Sequence, residues 1–347
     1  MHQGQRIDGA DALQPDHVPE SIINRDDEQD TLASACTDPG RRHLYLYGPR
    51  GTGKTLVARS SLGNTDNNIS TCYLSCIRAD TQYRVLTQLY QSLTGDDINN
   101  GYHTAQLQDR IRDLATDRDI ILVLDEIDFL LEHDGSDLLY FLSRLPVEAH
   151  LGLITISAHH ADPRRVIDQR TLSSMQPMHV RFDRYPAEEA YTILESRLTE
   201  ADMMDAVDRE ALTFLATKTR NIQLGLHWIT QAAASSTDRI TVDVLRDVRP
   251  AAVQRYRDDL LSGVTTHHHL LFEAISQLVT ENGGDVRSGT IYDRYTDLCK
   301  STGTDALSTR RISEYLTDLE LLDIIDVDQY RGGTYGRTRK IQLKQYL

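Results

Sequence analysis

The sequence predicts an α/β phosphate-loop core with a small helical lid, followed by an α+β winged helix-turn-helix unit. Three observations carry this. Gly48-Pro49-Arg50-Gly51-Thr52-Gly53-Lys54-Thr55 is a G-x-x-x-x-G-K-T run set between a strand-like segment and a helix start. Residues 120–124 are a run of apolar residues ending in Asp125 and Glu126, which suits a central parallel strand covered on both faces. Beyond Pro186 the pattern becomes helical, and the last part of the chain reads as three helices and a ribbon of alternating residues.

The chemistry of the loop explains its residues. Glycines let backbone N–H groups turn toward phosphate oxygens where a side chain would block them. The helix that opens at the end of the loop adds its dipole. Gly48, Pro49, Arg50, Gly51, Thr52, Gly53, Lys54, Thr55 and Leu56 are the candidate nucleotide-binding residues. Lys54 is placed for the β- and γ-phosphates, and the Thr55 hydroxyl for Mg²⁺. Asp125 closes its strand at the carboxyl edge of the sheet, where such folds bind ligands, and is the second candidate for Mg²⁺. Glu126 is the candidate for polarising an attacking water. These residues predict ATP or GTP binding, in the triphosphate or diphosphate form.

Composition sets the class. The chain has 347 residues, enough for two or three domains. It contains no stretch of 18 apolar residues, so no membrane span is expected. The polar, acidic first thirty residues do not read as a signal peptide. Cys36, Cys72, Cys76 and Cys299 lack zinc or disulfide spacing, and Cys72 and Cys76 are expected in the core. The expected location is cytoplasmic and nucleoid-associated. The formal charge is -15, with 38 Asp against 14 Glu and only five Lys among 37 basic residues. This is the composition of a protein that works in molar salt, where the Debye length falls to roughly 3 Å. Negative overall charge there does not exclude a nucleic-acid partner.

In chain order, residues 1–20 are polar with Pro15 and Pro19, and a disordered arm is expected. The core is expected over 21–185. A helix runs to about Cys36, with Arg25 and Glu28 as further candidates for the neighbourhood of the nucleotide. Strands are expected at 43–47, 69–76, 120–124, 151–157 and 178–182. Helices are expected at 56–63, 81–93, 104–116 and 138–145. Such alternation gives a parallel sheet with helices on both faces. The lid is expected over 186–262, with helices at 187–202, 208–219, 222–235 and 242–261.

The winged unit is expected over 263–347. His267-His268-His269 reads as a solvated helix start. Helices follow at 290–301 and 308–322, the latter capped by Ser308 with Ile312, Tyr315, Leu316 and Leu319 as its apolar stripe. Two strands follow, at 324–327 and 339–343. From Ile324 to Leu347 five basic residues meet two acidic ones. Thr309, Arg310 and Arg311 open the third helix, suited to entering a major groove N-terminus first. Arg331, Gly332, Gly333, Thr334, Tyr335 and Arg337 form the tip of the ribbon. Double-stranded DNA is therefore the expected partner.

These parts together resemble the archaeal replication-initiator family related to the largest origin-recognition subunit and its helicase-loading partner. The resemblance spans about residues 20–347. Its marks, besides the two motifs above, are Tyr73-Leu74-Ser75-Cys76-Ile77-Arg78, Thr81-Gln82-Tyr83-Arg84-Val85-Leu86, Arg170 with Ser173-Ser174, Phe182-Asp183-Arg184-Tyr185-Pro186, and Arg331-Gly332-Gly333-Thr334-Tyr335-Gly336-Arg337-Thr338. It implies an AAA+ core with a winged helix, ATP or ADP with Mg²⁺ as cofactor, binding of double-stranded origin DNA, and help in loading the replicative helicase. It also implies association with further copies or related initiators on DNA. An initiator-specific insertion would fall near residues 96–108. Arg170 resembles the arginine that completes a neighbour's ATP site, which makes Lys54, Asp125, Glu126 and Arg170 the expected catalytic set.

The chain departs from the family twice. Where the family ends its sensor strand with Ser-Asn, this chain reads Ser157-Ala158-His159-His160. Where the family carries an arginine in the lid, this chain reads Arg220-Asn221-Ile222-Gln223. A neutral glutamine supplies no charge to the γ-phosphate, so slow or absent turnover is expected. Two alternatives stay open: a hydrolysis-deficient accessory or plasmid-type DNA-binding paralogue, and an AAA-type regulatory ATPase whose winged helix meets proteins.

Overall fold

The structure, a computed structural model, describes residues 11–38, 42–96, 101–133, 135–145, 150–236, 239–331 and 337–346. The chain divides into two compact units, the second running from Gln254 to Leu347. The expected core and lid thus form one unit. The break falls inside a long helix, Val242–Leu260, rather than at residue 263.

The first unit is built on a parallel sheet of β1 (Leu44–Tyr47), β2 (Ile69–Ser75), β3 (Asp119–Asp125), β4 (Leu151–Ser157) and β5 (Met178–Arg181), in the order β2-β3-β4-β1-β5. Leu44 pairs with Ile154 on one side and Met178 on the other. β4 is buried along its whole length, and β3 at every residue but its first, as their unbroken apolar runs require. Seven helices are described before the lid: α1 (Asp26–Thr37), α2 (Lys54–Gly63), α3 (Gln82–Thr94), α4 (Thr104–Asp117), α5 (Ile127–Glu132), α6 (Gly135–Ser143) and α7 (Gln169–Met175). Leu32, Val57 and Ala58 from helices pack on Leu46, Val123, Ile156 and Phe182.

Local chemistry fixes the helix ends. Thr81 caps α3 by accepting from the Arg84 N–H, and Gly95 ends it at φ +74°. The buried stripe of α3 is Val85, Leu86, Leu89 and Leu93, while Tyr83 is exposed. α5 has no counterpart in the sequence reading, because six residues are too few to show a helical period.

The lid helices are α8 (Ala187–Glu200), α9 (Arg209–Lys218), α10 (Ile222–Ser235) and α11 (Val242–Leu260). Trp228 is buried among them, with its indole N–H donated to the Leu245 carbonyl at 2.7 Å. Residues 11–20 are not the disordered arm expected of them. Ala12 and Leu13 are buried in the lid core, and the buried Arg197 donates to the carbonyls of Ala12, Gln14 and His17. One guanidinium thereby ties down two successive turns, closed by the Gln14 N–H on the Asp11 carbonyl and the His17 N–H on the Gln14 carbonyl. Residues 1–10 lie outside the described set.

The second unit holds α12 (Thr266–Asn282), β6 (Val286–Arg287), α13 (Ser288–Thr302), α14 (Thr309–Leu321), β7 (Ile325–Arg331) and β8 (Arg337–Leu343). The antiparallel sheet has the order β6-β8-β7. The third strand was not anticipated, since two residues carry no alternation. His268 corrects the expectation of a solvated helix start: it is buried, bonded to Thr265 and to the buried Asp318 at 3.0 Å, and stacked on Tyr315. It thus ties α12 to α14.

Candidate nucleotide site and candidate DNA-binding elements

β1 delivers the chain into the loop at Gly48. A Cβ on Gly48, at φ +148°, would overlap the Phe182 carbonyl, and one on Gly51, at φ +72°, would overlap the Asn221 side chain. Only glycine satisfies both the backbone angle and the close approach at Gly51. There the lid seats on the loop: Ile222 N–H donates to the Gly51 carbonyl at 3.2 Å. Asn221 caps α10 by accepting from the Leu224 N–H at 3.1 Å. Within the loop, the Thr52 hydroxyl donates to the Pro49 carbonyl at 2.8 Å.

Lys54 opens α2 and is buried. Its ammonium donates to the carbonyls of Gly48 at 2.6 Å and Pro49 at 2.7 Å. Burial pulls its pKa down to about 8; Glu126 opposes the shift and Arg50 adds to it. Gly53 as N-cap has no side chain to accept from the first turn of α2, so those N–H groups remain for an anion. Leu56 packs against the sheet core.

Thr55 Oγ1 donates to Asp125 Oδ2 at 2.7 Å. Tyr73 donates to the same oxygen at 2.6 Å, and the Glu126 N–H to Asp125 Oδ1 at 2.8 Å. Burial, reinforced by Asp125, pushes the Tyr73 phenol upward, so it stays a donor. A hydroxyl and a carboxylate are hard oxygen donors of the kind Mg²⁺ takes. An ammonium, an uncapped helix start and this donor pair fit Mg²⁺-nucleotide. Glu126 stands at the N-cap position of α5, at φ +56°, and its carboxylate is held by Arg50 through two hydrogen bonds. Burial raises its pKa and Arg50 opposes this.

Lys54, Thr55, Asp125, Glu126 and Arg50 are thus brought together. Arg170 stands apart on α7, more than half exposed, with its guanidinium 3.9 Å from the Tyr140 ring centre and 3.7 Å from Asp137. At the end of β4, the buried Asp128 accepts from the Ser157 hydroxyl at 2.7 Å and the Ala158 N–H at 2.8 Å. Gln223 lies in the first turn of α10, half-buried, and Arg220 is exposed.

Sequence reasoning gave no role to Tyr73, Asp128 or Asn221. It named Arg25 without a role: the guanidinium donates to the Thr52 carbonyl at 3.1 Å and the Asp183 carbonyl at 2.7 Å, and lies 4.1 Å from the Tyr185 ring centre. It braces the loop against the segment after β5. The polar tyrosine inside a strand pattern was the one available signal for Tyr73.

In the second unit, Ser308 caps α14 by accepting from the Arg311 N–H. Thr309, Arg310 and Arg311 stand exposed at its start. Both arginines reach Glu314, at 3.2 and 3.0 Å. In the ribbon, Arg331 on β7 pairs with Arg337 on β8. Gly332, Gly333, Thr334 and Tyr335 lie outside the described residues.

Comparison with known proteins adds the following. Residues 37–164 match the AAA domain family, and residues 259–346 match the CDC6 C-terminal winged helix domain. An ORC1-type DNA replication protein 1 of Sulfurisphaera tokodaii is 29% identical, over 95% of this chain and 88% of that protein. One of Sulfolobus acidocaldarius is 28% identical, over 99% and 91%. Among solved structures, the Aeropyrum pernix ORC1 protein in complex with DNA superposes with a TM-score of 0.72 at 25% identity, covering 96% of this chain and 93% of that one. The chain thus carries an AAA domain followed by a CDC6-type winged helix, and archaeal ORC1-type replication proteins are its homologues over nearly its whole length.

Proposed function

We propose that the chain is an ATP-binding replication initiator. It recognises double-stranded origin DNA and helps load the replicative helicase, with ATP as a conformational switch and slow hydrolysis. The observation that carries this is the convergence of Lys54, Thr55 and Asp125 at the uncapped start of α2. The nucleotide supplies, when bound, the phosphate charge whose loss resets the switch. Lys54 would give up its loop carbonyls for phosphate oxygens, and Thr55 and Asp125 would hold Mg²⁺, with Tyr73 orienting the carboxylate. Glu126 polarises water. Because Ile222 is bonded to Gly51, a shift of the loop on nucleotide binding moves the lid.

On DNA, Thr309, Arg310 and Arg311 meet the major groove, and Arg331, Gly332, Gly333, Thr334, Tyr335 and Arg337 form the wing contact. The initiator insertion falls near residues 96–108, between α3 and α4. Beside it, Arg110 of α4 lies 4.6 Å from the Tyr102 ring centre and 5.6 Å from that of Tyr90, a cationic and aromatic pairing suited to nucleic acid. Arg170 completes the site of a neighbouring copy or related initiator. Among the described residues no helix is long and apolar enough to cross a membrane, and we place the protein in the cytoplasm with the nucleoid. Duplex footprinting tests the reading: Arg331→Ala with Arg337→Ala abolishes protection, and unchanged protection removes the wing from the account.

A second reading has its own support. Ala158 offers only a backbone N–H, already given to Asp128, and Gln223 is uncharged. A DNA-binding paralogue that holds ATP without turning it over fits both. Single-turnover hydrolysis separates the two readings.

A further inference from the structure

The contact between Arg50 and Glu126 conflicts with the role given to Glu126. Both terminal nitrogens of Arg50 donate to it, one to each carboxylate oxygen, at 2.5 and 2.7 Å. The Arg50 side chain is 8% exposed and that of Glu126 17%, so water competes weakly for either. A carboxylate that accepts a bidentate guanidinium is less basic toward water. Asp125, its neighbour, is bonded to the neutral donors Thr55, Tyr73 and the Glu126 N–H. The two carboxylates at the end of β3 therefore differ: one is oriented by neutral groups, the other neutralised by a cation.

That cation is carried by the phosphate loop itself, next to Gly51. The loop around it is pinned, since the Pro49 carbonyl accepts from both Thr52 and Lys54. The guanidinium fork matches phosphate as well as carboxylate. The loop thus carries a buried arginine four residues before Lys54, the ammonium assigned to the β- and γ-phosphates.

We propose that Arg50 is a latch on Glu126, opened by the terminal phosphate of a bound triphosphate. Without that phosphate, Arg50 closes on Glu126 and holds it away from water. With it, the guanidinium exchanges carboxylate for phosphate oxygens and Glu126 is released. A diphosphate leaves the latch closed, which makes Arg50 the residue that tells ATP from ADP. The proposal rests on the nucleotide reading of this site. Its consequence is reciprocal: Glu126 and the terminal phosphate compete for one guanidinium, so removing the charge of Glu126 must tighten triphosphate binding and leave diphosphate binding in place.

The test is calorimetric binding of a non-hydrolysable ATP analogue and of ADP, both with Mg²⁺, to the full chain and to Glu126→Gln, Arg50→Met and the double variant. Expected is a gain of roughly tenfold in the analogue-over-ADP preference for Glu126→Gln, a loss of preference for Arg50→Met, and no gain from Glu126→Gln once Arg50 is Met. Arg50→Met leaves a buried carboxylate unpaired and is prone to unfold. The double variant removes both charges and carries the comparison if thermal melts show that the single one fails. The latch is overturned if each variant moves both nucleotides equally, or if the Glu126→Gln gain persists in the double variant. A wild-type chain that binds neither nucleotide overturns the reading of the site and the latch with it.

Discussion

The phosphate loop and the start of α14 each gather cations, but by opposite means. In the loop, Lys54 is buried and bonded to two carbonyls, and Arg50 is locked onto Glu126. At α14, the side chains of Arg310 and Arg311 are 90% and 53% exposed, and both lean on Glu314 of the same helix. The loop has fixed its polar groups before a ligand arrives, and salt reaches them poorly. The helix start keeps its charges in water, where such pairs are worth at most about 1 kcal/mol and yield readily to a phosphate. One region is built for geometry, the other for exchange.

Four perturbations break or sharpen this contrast. The largest effect is expected at Lys54. Lys54→Met should weaken ATP binding on the order of a hundredfold, by nearly the same factor at low and high salt, as calorimetry would record. A loss that shrinks steeply with salt would place the ammonium among screened charges.

At α14 the expectation reverses. Arg310→Gln with Arg311→Gln should lower the slope of log K against log salt for duplex binding by about two, one per phosphate contact. Anisotropy titrations across a salt series would measure it.

The pH responses should also part. Lys54 must be protonated to meet phosphate, and the free protein holds its pKa near 8. ATP should raise that value, so binding should take up a proton above about pH 8, and affinity should fall as pH rises past that point. Duplex binding through guanidiniums should stay flat over the same range. A parallel decline in both would mean a shared cause.

The smallest change is Glu314→Gln. It frees Arg310 and Arg311 from their carboxylate and should tighten duplex binding a few-fold, within about 1 kcal/mol, with the melting temperature nearly unmoved.

The same contrast explains what could be read from the sequence. The loop, the carboxylates ending β3 and the cap at Ser308 are contiguous patterns, and each lay open in the text. The partners that set them were not. Tyr73 meets Asp125 because β2 lies beside β3, and Asp128 meets Ser157 because β4 lies on the other side. Those neighbours follow from the strand order, which spacing does not encode. Asn221 reaches Gly51 across about 170 residues. Residues 11–20 read as an arm because Ala12, Leu13 and Val18 among polar residues form no pattern; their order comes from Arg197, far along the chain. His268 looked solvated because its partner Asp318 sits on another helix.

The most direct measurement is selection of genomic duplex fragments by the full chain in molar salt with Mg²⁺-ATP. The account predicts that one recurring segment at a replicon start is enriched over random fragments, and that the enrichment is lost in Arg331→Ala with Arg337→Ala. Random sampling of the genome by the wild-type chain would contradict it.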